Sequence, residues 1–138
     1  MGSYDTNLAS EFYVLSVLHR IGAEPSLTLA NKKAIDVYVA ISPDEFITID
    51  VKGVAGKYDW PATNVRETKR KNHFYVLVCF EGLIQDPSIL PSVWFIPGNR
   101  ISKFIKQYKT RTNISRALVK NEGAEYRDAW NQIVSING

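Results

Sequence analysis

Two aspartates and a lysine stand out in the first half of the chain. Asp36 lies in Ala34-Ile35-Asp36-Val37-Tyr38-Val39, and Asp50 and Lys52 lie in Ile47-Thr48-Ile49-Asp50-Val51-Lys52-Gly53. Carboxylates gathered beside an ammonium suit a hard divalent cation and a phosphate. Magnesium takes oxygen ligands and keeps several waters, so two carboxylates plus phosphate oxygens complete its shell. Such a cation polarises a phosphate and lowers the pKa of a bound water. A neighbouring lysine orients or deprotonates that water and balances developing negative charge. Glu11 is a further candidate. It shares a helix stripe with Leu8, Leu15 and Leu18, where a carboxylate needs a partner because an isolated buried charge is expensive.

A β-hairpin must position the first three. From Ala34 to Lys52, apolar and polar residues alternate on both sides of the turn cluster Ser42-Pro43-Asp44-Glu45. One set is Ile35, Val37, Val39, Ile41, Ile47, Ile49 and Val51; the other is Asp36, Tyr38, Ala40, Phe46, Thr48, Asp50 and Lys52. The pattern predicts two antiparallel strands with one face in the core. Directly opposed residues point to the same face, so only two registers near this turn keep the apolar sets together. One sets Asp36 opposite Asp50, the other opposite Lys52. Either gathers Asp36, Asp50 and Lys52 on one face.

This arrangement resembles the PD-(D/E)xK nuclease superfamily, which includes restriction endonucleases and Holliday-junction resolvases. The matching residues are Asp36 and the triplet Asp50-Val51-Lys52, and a first helix bearing Glu11 matches the family's common glutamate. Ile35 stands where the family name has proline, and Asp50 where glutamate is frequent. The resemblance implies a metal-dependent phosphodiesterase on an α/β (α+β), restriction endonuclease-like fold, a mixed β-sheet with an α-β-β-β-α-β core over roughly residues 6 to 80. It also implies Mg (or Mn) held by Asp36, Asp50, the Val51 carbonyl and Glu11, with Lys52 as the catalytic lysine. An Asp-x-Lys triplet alone is weak, as Glu67-Thr68-Lys69 illustrates in a charged stretch without alternation; strand context and the opposing Asp36 distinguish the first. The bland alternative is a surface cross-strand ion pair worth about 0.2–1 kcal/mol.

Around the hairpin, Thr6 to Ile21 reads as a helix capped by Asp5 or Thr6 and closed by Gly22, with apolar residues over much of its circumference, as if packed on more than one side. A short strand is expected near Ser26–Leu29. Gly53 to Lys71 reads as irregular, with a short helix near Asn64–Arg70; Tyr58, Trp60 and Pro61 in it either meet substrate or plug the core edge with Trp60. His73 to Phe80 is a near-continuous apolar run, expected of a central strand buried on both faces. Ser92–Ile96 reads as a strand. The spacing of Ile101, Phe104, Ile105 and Tyr108 predicts an amphipathic helix over Arg100–Tyr108, and a last helix is expected from near Asn121. His73 is expected to be a satisfied strand-end histidine, and Cys79 a core thiol rather than a nucleophile.

The chain has 138 residues, 45% hydrophobic and 12% aromatic, the size and composition of one globular domain, which excludes a disordered or low-complexity protein. One cysteine excludes a disulfide scaffold and suggests a reducing, cytoplasmic setting. No apolar stretch reaches the roughly 20 residues of a membrane span, and no signal-peptide pattern is present. Net charge is only +3, but it is unevenly spread. Pro87 to Asn121 holds no acidic residue, while Arg100, Lys103, Lys106, Lys109, Arg111, Arg116 and Lys120 fall within it. Arg100, Lys103 and Lys106 would form a basic helix face, and Arg66, Lys69, Arg70 and Lys71 a second cluster flanking the site; both are candidates for nucleic-acid phosphates, with solvated surface as the alternative. The expected function is hydrolysis of nucleic acid, DNA in the first instance, by a chain that works as a homodimer or with a partner protein supplying specificity. The alternatives are a non-catalytic nucleic-acid-binding or accessory protein that keeps the nuclease fold, and an interaction protein with an ordinary α/β fold.

Overall fold

In the computed structural model, which describes residues 5–27, 36–63, 65–68 and 72–133, the first helix, α1 (Thr6–Arg20), opens at Asp5, whose carboxylate accepts from the Leu8 amide at 2.9 Å. It closes on Gly22, at φ +86°, where glycine alone is unstrained. The Ala23 amide reaches Leu18 O at 3.0 Å and the Gly22 amide reaches His19 O at 3.2 Å, a Schellman closure. The helix packs on one side, through Ser10, Val14 and Leu18. Leu8 and Phe12 lie half exposed, so the expected packing on more than one side is not found.

Along the chain follow β1 (Pro25–Leu27), β2 (Val37–Ser42), β3 (Glu45–Val54), β4 (Trp60–Pro61), β5 (His73–Cys79), β6 (Ser92–Pro97), a 3₁₀-helix (Gly98–Phe104), β7 (Ile105–Gln107), β8 (Thr112–Ile114), α2 (Arg116–Glu122) and a 3₁₀ turn (Ala124–Tyr126). The fold is mixed α/β. A central sheet ordered β1-β2-β3-β5-β6 has β3 and β5 parallel and its other neighbours antiparallel, and a small antiparallel sheet is ordered β4-β8-β7. Among the described residues no helix is long and apolar enough to cross a membrane.

The hairpin register is the first of the two expected, with Val37 facing Ile49 and Val39 facing Ile47; the ladder stops one residue short of Asp36. Its apolar face joins Val14 and Leu18 of α1 and Phe74, Val76 and Val78 of β5 in one core. Glycine at position 53 lets α1 lie this close to β3, since a Cβ there would collide with Ser10 Oγ.

The opposite face of the sheet carries a second core. Tyr75, Leu77 and Cys79 of β5 and Trp94 and Ile96 of β6 meet Trp60, Ile101, Phe104, Ile114 and Val119. The hairpin's polar face is therefore not open to water at its β3 end: Thr48 and Asp50 are buried. Trp60 is a core plug, fully buried, its Nε1 donating to Val78 O at 3.0 Å.

Several local expectations are corrected. The first short strand runs Pro25–Leu27, and positions 28–29 lie outside the described residues. No helix occupies 65–68, the described part of the expected short helix beside residue 63. The helix expected over Arg100–Tyr108 is a 3₁₀-helix ending at Phe104, followed by β7. Ile101 and Phe104 are three apart, which serves a 3₁₀ turn as well as an α-turn, and pairing of Ile105 with Ile114 draws the next residues into a strand. The last helix, expected from near Asn121 through Tyr126, Trp130, Ile133 and Val134, is not one helix in the described residues: α2 lies before it at Arg116–Glu122, capped by Ser115 accepting from the Leu118 amide and ended by Gly123, and a 3₁₀ turn follows at Ala124–Tyr126. A further helical turn covers 131–133.

Candidate active site

Asp36 sits just before β2, where its amide donates to Ile49 O at 2.7 Å. Its carboxylate Oδ2 accepts from the Val51 amide at 2.7 Å, taking over the edge of β3 that the ladder would otherwise fill. Within a strand the N–H and C=O of one residue point the same way. The Val51 carbonyl is therefore aimed at the same edge as the Asp36 carboxylate.

Asp50 projects from the face of β3 turned away from Ile49 and Val51, beside Tyr75, its register partner on β5. It is only 3% exposed, and its Oδ2 is buried with no hydrogen-bond partner among the described residues. Lys52 Nζ stands 3.9 Å from that oxygen and donates to Thr63 O at 3.4 Å. Burial pushes the Asp50 carboxyl up to about 7; the Lys52 charge opposes this, and the charge of Asp36, a hydrogen bond with its carboxyl and the charge of Glu11 add to it. Glu11 is raised too, by burial first and then by the charges of Asp36 and Asp5. The fold thus brings Glu11, Asp36, Asp50 and Lys52 into one electrostatic neighbourhood. Among the described residues, however, no three His, Cys, Asp or Glu side chains are grouped so as to hold a metal ion.

The segment after β4 lies across this neighbourhood. Tyr75 Oη donates to Arg66 O at 2.9 Å and accepts from the Arg66 amide at 3.3 Å. Glu67 Oε1 accepts from Ser102 Oγ at 2.9 Å, and the Thr68 amide donates to Gly98 O at 3.2 Å, tying the segment to the 3₁₀-helix. Tyr75 and the Thr63 carbonyl are contacts that sequence reasoning missed. Tyr75 left a faint signal, a hydroxyl two places after His73 in an apolar strand; a backbone carbonyl leaves none.

The basic candidates divide. Arg66 is exposed on the covering segment, while Lys69, Arg70 and Lys71 lie outside the described residues. Arg100 and Lys103, exposed, share one side of the 3₁₀-helix by its three-residue period, and Lys103 Nζ stands 3.9 Å from Glu122. Lys106 is on β7, so the three do not form one helix face. Arg116 is taken up structurally, donating to Glu81 at 2.6 Å.

His73 is a buried strand-start histidine whose Nδ1 lies 2.7 Å from Thr48 Oγ1. Cys79 is a buried core thiol, its pKa raised by burial and its Sγ donating to Gly56 O at 3.3 Å. No known protein family, curated protein or solved structure matches the chain significantly.

Proposed function

We propose that this chain is a metal-dependent phosphodiesterase of the PD-(D/E)xK kind, a DNA endonuclease on a restriction endonuclease-like fold. The observation that carries the reading is the hairpin, which brings the Asp36 carboxylate against the β3 edge at Val51 and close enough to Asp50 to raise its pKa, with Lys52 Nζ 3.9 Å from a buried Asp50 oxygen that has no hydrogen-bond partner among the described residues. The α1 helix against an antiparallel hairpin, with β5 parallel to β3, also follows the core order that the resemblance implies. The helix between β3 and β5 is the part of that order without a counterpart at 65–68.

The donor set suits Mg²⁺ or Mn²⁺. An orphaned Asp50 oxygen, the Asp36 carboxylate and the Val51 carbonyl are hard oxygen donors, and a magnesium ion keeps waters where protein ligands are few. When bound, the cation would polarise the scissile phosphate and acidify a water. Lys52, its side chain 24% exposed, presents an ammonium to the same phosphate, where it balances developing charge and orients the attacking water. Burial favours the protonated Asp50 carboxyl, and a cation must displace that proton to be ligated, so metal affinity rises with pH. Arg66, Arg100, Lys103 and Lys106 would hold flanking phosphates.

The test is thermal unfolding with Mg²⁺ or Mn²⁺, run beside incubation with plasmid, single-stranded and branched DNA. A cation at about 100 times its Kd should stabilise the wild type by about 2.7 kcal/mol, and Asp50→Ala by nothing. No metal response with every DNA intact would refute the catalytic reading. Salt-dependent DNA affinity remaining in that case would support the non-catalytic accessory reading instead.

A further inference from the structure

A cleft of about 780 Å³ runs between the 58–63 segment and the loop joining β7 to β8, with Tyr58, Asp59, Thr63, Arg111 and Asn113 in its lining. Thr63 connects it to the candidate site, because the carbonyl that receives Lys52 Nζ belongs to this wall. Asp59 is the single acid among the lining residues, and both its oxygens are engaged: Oδ1 accepts from the Arg116 amide at 2.9 Å and Oδ2 from Tyr108 Oη at 3.4 Å. Among the described residues the cation that lines the cleft is the exposed Arg111, which makes no ion pair with them, and exposed Lys57 and Lys109 adjoin the lining in sequence.

Tyr58 is 66% exposed, the most exposed aromatic side chain of the described residues. Its ring is nonetheless placed: a Cβ at Gly56 would stand 2.5 Å from Tyr58 Cε2, so the ring is seated on that glycine. A seated ring presented to solvent in a cleft that Arg111 also lines is the arrangement that stacks a base while a basic group holds the backbone. Bases inside a duplex are already stacked on their neighbours, so only an unpaired base can lie on such a ring. The volume is that of a ligand cleft, room for a short run of one strand.

We propose that this cleft is the track of an unpaired nucleic-acid strand, with a base stacked on Tyr58, a flanking phosphate held by Arg111 and the strand leading past Thr63 toward Lys52. The inference rests on the phosphodiesterase reading for the class of its ligand, and it adds that the preferred substrate is single-stranded at this point.

The experiment is fluorescence anisotropy of the full chain with a labelled oligothymidylate about a dozen nucleotides long and with a duplex of equal length, in EDTA so that cleavage does not enter. The single strand should bind more tightly than the duplex. Tyr58→Ala should weaken single-strand binding roughly 5- to 150-fold, the loss of one base–aromatic stack, while Tyr58→Phe keeps wild-type affinity. Arg111→Ala should weaken binding and reduce the salt slope by about 0.7. Wild-type affinity in Tyr58→Ala, a duplex bound as tightly as the single strand, or no binding at all would overturn the track. Binding with this pattern in a protein that cleaves nothing with Mg²⁺ would keep the track and refute the nuclease. Cleavage with affinity indifferent to Tyr58 would do the reverse.

Discussion

Replacing Asp50 by asparagine separates the cost of its charge from its shape. In the folded protein, burial lifts this carboxyl from its ordinary 3.8 to about 7, Lys52 opposing and Asp36 and Glu11 adding. In the unfolded chain it ionises near its ordinary value. Between those two pH values the folded state holds a proton that the unfolded state has lost. Stability therefore falls as pH rises through this window, by about 1.4 kcal/mol per unit, and levels off above the folded pKa. The whole window amounts to roughly 4 kcal/mol. Asparagine has nearly the same volume and no such slope at this position. The assay is urea unfolding of wild type and Asp50→Asn across the pH range. The stability of the variant relative to wild type should rise by roughly 2–3 kcal/mol between about pH 5 and about pH 8, a relative Tm gain on the order of 10 °C for a domain of this size. The sign is the opposite of an ordinary salt-bridged aspartate, whose loss costs most at neutral pH. A stability difference that does not change with pH would refute the claim that Asp50 is held protonated by burial.

Two further perturbations test the surroundings of the same group. Lys52→Met removes a cation that lowers the Asp50 pKa, so in the same unfolding series the levelling-off should move to higher pH; an unmoved curve would show that the pair at 3.9 Å carries no coupling. Gly53→Ala sets a Cβ against Ser10 Oγ and 2.8 Å from Ser10 Cβ, which should cost about 1–3 kcal/mol by overpacking. Ser10→Ala in the same chain should recover part of that loss, and additive effects in the double-mutant cycle would mean that α1 does not press on β3 there.

Much of the framework near the site is local and therefore legible. Alternation at a period of two marks both hairpin strands, and the side-chain types at 35–52 leave two registers, of which the observed one pairs Val37 with Ile49. Asp5 and Gly22 bound α1 by chemistry that acts over three or four residues. The apolar run at 73–79 is a strand buried along its whole length. The failures are equally physical. Spacings of three and four at Ile101, Phe104 and Ile105 do not separate an α-helix from a 3₁₀ turn entering a strand; the partner that decides is β8, reached only by folding. Leu8 and Phe12 look like core residues and stay half exposed, because the described chain covers one side of α1.

The sequence by itself determined that two carboxylates and an ammonium share one short hairpin, since side-chain alternation along a strand is a property of the local backbone. It could not say that this face would be covered. That came from tertiary structure: Tyr75 enters from a parallel strand, the backbone of Thr63 meets Lys52 and that of Arg66 meets Tyr75, and Trp60 and Ile114 seal the layer behind. Desolvation is exerted by whatever packs against a group, however distant in the chain. So the proton that Asp50 keeps near neutral pH, and the unpartnered oxygen beside Lys52, belong to the fold and not to the motif.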